Sequence, residues 1–240
     1  MVMMDKIESR LLEAAGYNKR TGQPFVTVSY AQSLDGSIAT RLGRPMALSS
    51  HESLALTHSL RAKHDAILVG IGCVLADDPR LTVRLVSGPN PHPIVMDSRL
   101  RLSPYARLLN NGSLPPWIFT SETADVEREI NLQALGATIF RMPVTPEDKI
   151  DIVAVLNKLA DLGITTLMIE GGAQIITSFL VARRVNQIVV TISPILVGGM
   201  QAIDALARSN PSQFPRLTNV SYEKIGDDLV VCAEPEWDLQ

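Results

Sequence analysis

Gly70-Ile71-Gly72-Cys73-Val74-Leu75-Ala76-Asp77-Asp78-Pro79-Arg80, entered from the apolar run Ala66 to Val69, is the stretch on which the fold turns. A short apolar run that ends in glycines has the form of a buried strand. Its tip lets a ligand or a second backbone come close, because glycine carries no Cβ. A dinucleotide fingerprint of the G-x-G-x-x-G kind would need a third glycine, and Leu75 stands in its place. It would also need a helix running on from the turn, whereas Asp77-Asp78-Pro79 stops any helix within two turns. The next acid at a strand end, Asp97, comes 27 residues after Gly70, too late for that motif's ribose-binding acid about 20 residues on. The plain alternative is a tight turn with a solvated pair of aspartates.

Working outward, the chain alternates short β-rich runs with helical periodicity, the pattern of an α/β domain with a largely parallel sheet. The runs are 25–31, 66–70, 93–97, 117–120, 138–142, 166–170 and 187–197, all rich in Val, Ile, Thr or aromatics. A closing hairpin pairs 220–225 with 229–233 across Gly226-Asp227-Asp228. Ser49-x-x-Glu52 has the form of a capping box opening a helix that runs to His64. Ile152, Val155, Leu156 and Leu159 fall at helical spacing before a stop at Gly163, and 172–184 makes a further helix. Residues 1–22 read as an amphipathic arm with Ile7, Leu11 and Leu12 on one side and 16–22 as a linker, leaving 23–240 as the main domain. Segments 86–93 and 207–215 read as surface loops, and no repeat or low-complexity tract is present.

The 240 residues are 46% hydrophobic, enough for a full core in one large domain or at most two small ones. Lys plus Arg number 22 against 25 Asp plus Glu, so no basic stripe points to nucleic acid. Cys73 and Cys232 sit in strand-like apolar surroundings without metal-ligand spacing; no metal is expected, and a disulfide between them stays open. No run approaches the roughly 18 apolar residues of a membrane span, and Asp5 and Glu8 do not suit a signal peptide, so the expected location is the cytoplasm.

Two further stretches carry chemistry. Leu167-Met168-Ile169-Glu170-Gly171-Gly172-Ala173 is a strand ending in an acid and two glycines before a helix, a geometry that suits phosphate through unpaired N–H groups and the helix dipole. Alone it is equally an ordinary strand-to-helix turn. Ser29-Tyr30-Ala31-Gln32-Ser33-Leu34-Asp35-Gly36 runs from an apolar strand into an Asp-Gly turn. In this order, with Leu60-Arg61-Ala62-Lys63-His64-Asp65 before the first stretch, they resemble the pyrimidine reductases of riboflavin biosynthesis over about 24–233. The wording is nearest the stand-alone fungal-type reductases, and the H-x-E and P-C-x-x-C zinc signature of the fused deaminase is missing.

The resemblance implies a dihydrofolate-reductase-like α/β fold, a homodimer built around 188–197, and NADPH as cofactor. The substrate it implies is 2,5-diamino-6-(5-phosphoribosylamino)pyrimidin-4(3H)-one or the deaminated 5-amino-6-(5-phosphoribosylamino)uracil. It places the cofactor at Ala31, Cys73, Asp77, Ser98, Gly171 and the segment 172–178, within it Gly172, Ala173, Gln174, Ile175 and Ile176. It places the substrate at Ser49, Arg61, Leu81, Arg84 and Glu170, with Asp77 and Glu170 as candidate catalytic acids and Arg99 or Arg101 facing a 2′-phosphate. Arginines suit a phosphorylated substrate because a guanidinium donates two parallel hydrogen bonds to phosphate oxygens. The sequence departs from the family at Cys73, usually threonine, whose thiol is a poor donor, and at Ser29, Pro45 and Ala47. His51, His58, His64 and His92 form no relay, and His64 reads as structural. A pterin reductase, a non-catalytic NADP-binding protein and a structural module are the alternatives; only the first would also transfer hydride, and it has no use for phosphate-binding arginines.

Overall fold

The computed structural model describes residues 3–42, 46–110, 114–203 and 214–237. Its helices are α1 (Met3–Leu11), α2 (Ala14–Thr21), α3 (His51–Lys63), α4 (Ile71–Asp77), α5 (Arg107–Asn110), α6 (Val126–Ala134), α7 (Ile152–Asp161) and α8 (Ala173–Val181). Its strands are β1 (Phe25–Ser33), β2 (Ser37–Ala39), β3 (Ala66–Gly70), β4 (His92–Met96), β5 (Trp117–Ser121), β6 (Thr138–Met142), β7 (Thr166–Ile169), β8 (Gln187–Ser193), β9 (Met200–Gln201), β10 (Arg216–Ile225) and β11 (Asp228–Glu236).

Alternation within β3 shows why the sheet lies between two layers of helix. Ala66 and Leu68 join Val26, Val28, Leu167 and Ile169 in a core completed by Val155, Leu159 and Phe179. Ile67 and Val69 point the other way, to Val74, Val95, Leu108, Ile118 and Leu132. With both faces covered, the strand is apolar throughout. Nine strands form one sheet in the order β10-β11-β8-β1-β7-β3-β4-β5-β6, and β2 pairs with β9 separately. Neighbours from β8 to β6 are parallel, while β11 and β10 run antiparallel at one end. The α/β architecture, the mostly parallel sheet and the C-terminal hairpin are as the sequence predicts.

Several boundaries differ. β8 stops at Ser193 rather than 197, because Pro194 has no N–H to give the ladder and the Ile195 amide turns back to the Ser193 carbonyl. β7 ends at Ile169, leaving Glu170 in the turn. The hairpin is longer than predicted and turns on Gly226-Asp227, with Gly226 at φ 59. Ser50, not Ser49, caps α3, accepting the Ser53 amide. At the N-terminus, 16–21 are helical and Gly22 ends α2 in the left-handed region. Met3 and Ile7 pack under β8 and β11 with Leu60, Met168 and Val230, while Leu12 is exposed. Pro45 and most of the predicted 207–215 loop lie outside the described residues. Cys73 and Cys232 are free thiols.

The strand tips at 70 and 171 are glycine for a packing reason. A Cβ on Gly70 would meet Ile175 Cγ1 at 2.7 Å, and one on Gly171 would meet Ile175 Cβ at 2.6 Å. Gly171→Ala is therefore expected to cost about 1–3 kcal/mol through overpacking. Gly72→Ala, which would meet nothing within 4 Å, is expected to leave stability equal or higher, since alanine favours the helix. Denaturant unfolding of the two variants checks the contrast.

Candidate active site

Parallel pairing of β3 with β7 sets the corners 70–72 and 170–172 side by side. The Glu170 amide donates to the Leu68 carbonyl at 3.0 Å, fixing the turn after β7 against the neighbouring strand. Arg61, in the last turn of α3, reaches the Glu170 carboxylate through Nε at 2.7 Å and Nη2 at 2.6 Å, and its Nη1 donates to the Thr82 carbonyl at 3.0 Å. Arg61 is 8% exposed, so it is a buried guanidinium and not a solvated helix charge. Burial pulls its pKa down, and the charge and hydrogen bonds of Glu170 outweigh that and leave it above its ordinary value.

Beyond α4 the chain turns through Asp78 at φ 44 and Pro79, then through Leu81 at φ 54. Leu81 is buried in the second core cluster and lines the site from there. Val83 donates its amide to Asn90 Oδ1 at 2.7 Å and Arg84 donates its amide to His58 Nδ1 at 2.8 Å. Arg61, Asp77, Asp78, Pro79, Arg80, Leu81, Arg84 and Arg107 enclose a cavity of about 340 Å³. Four arginines against two aspartates make it electropositive. Burial, then the charges of Arg61 and Arg80, press the Arg84 pKa below its ordinary value, so an incoming anion relieves repulsion already present. Asp77 stands exposed at the rim; desolvation raises its carboxyl, an effect that water screens at this exposure. His58 is fully buried, and burial followed by Arg61 and Arg84 lowers its pKa to about 4. Neutral imidazole accepting at Nδ1 carries its proton on Nε2, which has no partner.

On the other side of the corners, α8 has Gly172 as its N-cap and no side-chain cap; the Ile175 and Ile176 amides turn back to the Gly172 carbonyl, which leaves the amides ahead of them for an anion. Cys73 lies against Gly172, where an added Cβ would stand 3.1 Å from the sulfur, and burial keeps the thiol pKa up. Ile176 is wholly buried and its amide bonds the Gly172 carbonyl, as does that of Ile175, whose side chain fills the gap between the corners. A second cavity of about 370 Å³ lies at the tips of β4 and β5, lined by Ser98, Arg99, Ser121, Thr123, Ala124, Asp125, Arg128 and Asp148. Arg141 braces its wall by donating to Glu129 and to the carbonyls of Glu122 and Ala124. The uncapped start of α8 and the arginines near Ser98 are groups able to hold the phosphates of a dinucleotide.

The structure thus gathers Arg61, Asp77, Leu81, Arg84 and Glu170 in one place, with Cys73 and 171–175 beside them. Ser98 lies in the second cavity with Arg99; Arg101 is not in its lining. Ala31 pairs with Thr191 towards the end of β1. There Asp35 accepts from Ser33, the Val197 and Gly198 amides and Ser37, which hold its carboxyl well below the usual range. Ser49 precedes α3 while Arg61 is in its last turn, a separation of about 18 Å along the axis. Only an extended ligand touches both. His64 is structural, buried between the Leu60 carbonyl and Thr27 Oγ1. Arg80, Arg107, Arg128 and His58 belong to these sites without having been singled out for them, although Arg80 stands in the first stretch quoted. No group of three or more His, Cys, Asp or Glu among the described residues could hold a metal.

Fold and site together define an α/β domain built on a mostly parallel sheet, with an uncapped helix N-terminus beside an arginine-lined cavity. The chain belongs to the RibD C-terminal domain family, whose model matches residues 24–231. It is 37% identical over 215 residues to the Methanothermobacter thermautotrophicus 2,5-diamino-6-ribosylamino-4(3H)-pyrimidinone 5′-phosphate reductase, covering 87% of this chain and 97% of that one. It is 35% identical over 221 residues to the riboflavin biosynthesis protein RibD of Bacillus amyloliquefaciens, where it covers 90% of this chain and spans only 59% of that longer protein. The Saccharomyces cerevisiae riboflavin biosynthesis reductase Rib7 superposes with a TM-score of 0.72 at 28% identity, covering 90% and 91% of the two chains. Acinetobacter baumannii RibD shares the fold, with a TM-score of 0.80 at 22% identity over 97% of this chain and 64% of that one.

Removing one partner of the Arg61–Glu170 pair strands the other's charge. Arg61→Ala is expected to cost about 3 kcal/mol of stability as well as activity. Arg61→Met with Glu170→Leu is expected to recover stability but not activity; thermal unfolding and turnover, measured together, separate the two effects.

Proposed function

We propose that the chain uses NADPH to reduce the ribosyl group of a 5-phosphoribosylaminopyrimidine to the ribityl form in riboflavin biosynthesis. The observation that carries this is the arginine cavity tied to the glycine corner after β7 through the Arg61–Glu170 pair: the cavity suits a phosphate and the corners suit a dinucleotide. The names of stand-alone relatives from Methanothermobacter thermautotrophicus and Debaryomyces hansenii, which this chain covers over 97% and 90% of their lengths, favour the diamino pyrimidinone as substrate. A pterin has no phosphate to offer the cavity.

When bound, NADPH supplies the hydride that C1′ of the opened ribosylamine accepts. The chain's own residues contribute placement. Arg84 and Arg80 bind the substrate phosphate, and Arg61 fixes the carbonyl of Thr82 behind them. Both Glu170 oxygens are occupied by Arg61, so Glu170 holds that arginine and Asp77, which lines the cavity, donates a proton from Oδ to the nitrogen borne by C1′. The amides of α8 hold the pyrophosphate and close the site on that side. Arg99 and Arg128 receive the 2′-phosphate. We also assign a cytoplasmic location and a homodimer. Among the described residues no helix is long and apolar enough to cross a membrane. Ile195, Leu196, Leu217, Tyr222 and Leu229 are exposed around the antiparallel end of the sheet, as a self-associating surface requires.

NADPH oxidation measured with the diamino pyrimidinone phosphate and with the uracil phosphate is the direct test, and no turnover with either overturns the assignment. Asp77→Ala is expected to lower kcat/KM about tenfold or more, mainly through kcat and with an unchanged melting temperature. Arg99→Ala is expected to reduce the preference for NADPH over NADH about tenfold; an unchanged ratio removes Arg99 from the 2′-phosphate site.

A further inference from the structure

We propose that His58 is a positioning residue for substrate binding: by accepting the Arg84 amide at Nδ1, it sets the loop 81–84 so that the Arg84 guanidinium meets the substrate phosphate. This rests on Arg84 binding that phosphate.

No strand or helix covers 78–91, so the loop has no ladder of its own to hold it. It is held by side chains, one residue at a time. The Thr82 carbonyl accepts from Arg61 Nη1 at 3.0 Å, the Val83 amide donates to Asn90 Oδ1 at 2.7 Å and the Arg84 amide donates to His58 Nδ1 at 2.8 Å. His58 and Arg61 are three residues apart on α3 and so share one side of it. One rigid helix face therefore grips both ends of 82–84. Leu81, entering this segment at φ 54, adopts a conformation that leucine keeps only when its surroundings impose it.

The histidine itself is not explained by filling space. Its Nε2 is buried without a partner, so an apolar side chain would occupy the position with less penalty. What an apolar side chain lacks is the acceptor at Nδ1. That acceptor exists only in neutral imidazole. Arg61 and Arg84, which face the ring, oppose its protonation, Glu170 favours it, and burial decides against the charge. Arg84 Nη1 in turn bonds the Thr82 carbonyl at 3.2 Å and its hydroxyl at 3.1 Å. The guanidinium is thus aimed by a loop that His58 and Arg61 have already fixed.

The test compares kcat and KM for the phosphorylated ribosylaminopyrimidine and for its dephosphorylated riboside, in wild type, Arg84→Ala, His58→Leu, His58→Asn and the His58→Leu, Arg84→Ala double variant. His58→Leu is expected to lower the kcat/KM preference for the phosphorylated compound about tenfold, through KM, with little change in kcat. His58→Asn, whose Oδ1 lies near the place of Nδ1, is expected to restore most of it. The double variant should be no worse than Arg84→Ala alone, because both act through one guanidinium. If Arg84→Ala leaves the preference intact, the phosphate role of Arg84 is wrong and the inference falls with it. If Arg84→Ala lowers it while His58→Leu does not, or if His58→Asn fails to restore it, Arg84 stands and the role of His58 is overturned. Should His58→Leu not fold, ring 15N spectra of the wild type decide. A bare, hydrogen-bonded Nδ1 with protonated Nε2 from about pH 5 to pH 8 is expected, and a protonated Nδ1 sinks the proposal.

Discussion

Ile175 sits where two strand tips would otherwise have side chains, and the site depends on that close approach. Gly70 and Gly171 leave room for it; a single methyl on either would come within 2.7 Å of its carbons. With Ile175 in that gap, the start of α8 is drawn onto the ends of β3 and β7. Its uncapped first turn then lies beside the turn that carries Glu170. A packing constraint in the core therefore sets the distance between the start of α8 and the Arg61–Glu170 pair. The glycines act indirectly, by letting the protein close on itself.

Charge is arranged around this packing so that the Arg61 guanidinium is tied into the framework while that of Arg84 stands beside other arginines. Arg61 gives two hydrogen bonds to Glu170 and a third to Thr82, so it belongs to the framework. Arg84 leans on Thr82 and has Arg61 and Arg80 for company, and burial first, then the charges of those two arginines, lower its pKa. A cluster that repels itself when empty gains more from binding an anion than isolated surface arginines would. Had Glu170 been absent, Arg61 would be a buried unpaired charge and the helix carrying it would be under strain.

Much of this was legible in the residues, and what was not has identifiable causes. The apolar runs of β3, β4 and β7 announced a doubly covered parallel sheet because burial on both faces leaves no alternation to read. Asp78 and Pro79 marked the end of α4 by local chemistry alone. The far end of β8 was overread, since Ile195 to Val197 are as apolar as the strand and only Pro194 signals the break. The capping-box pattern puts the cap on Ser49, one residue early, because only the folded chain shows that the Ser50 hydroxyl is the one that reaches the Ser53 amide. At the site, Arg61 and Arg84 carried a recognisable pattern, but whether Arg61 was solvated depended on Glu170, 109 residues away. His58 gave no signal, for its partner is a backbone amide 26 residues on. Such contacts exist only after the sheet has assembled, and composition and spacing cannot encode them.

α3 shows how a loop without secondary structure becomes precise. Its first turn is pinned by the C-terminal hairpin: buried Asp228 accepts the Ser50 amide at 2.7 Å and the Ser53 hydroxyl. An aspartate here also suits the positive end of the helix dipole. The hairpin turn lies so close that a Cβ on Gly226 would stand 2.8 Å from Ser50 Oγ. Beyond its last turn, His64 bonds the Leu60 carbonyl and Thr27 Oγ1 on β1. Held at both ends by the sheet, the helix cannot slide or roll without breaking buried hydrogen bonds. The two side chains it extends to 82–84 inherit that rigidity, and so does the arginine they aim. Antiparallel strands at the far side of the sheet, remote from the cavity in sequence, therefore take part in fixing the geometry of the arginine-lined cavity.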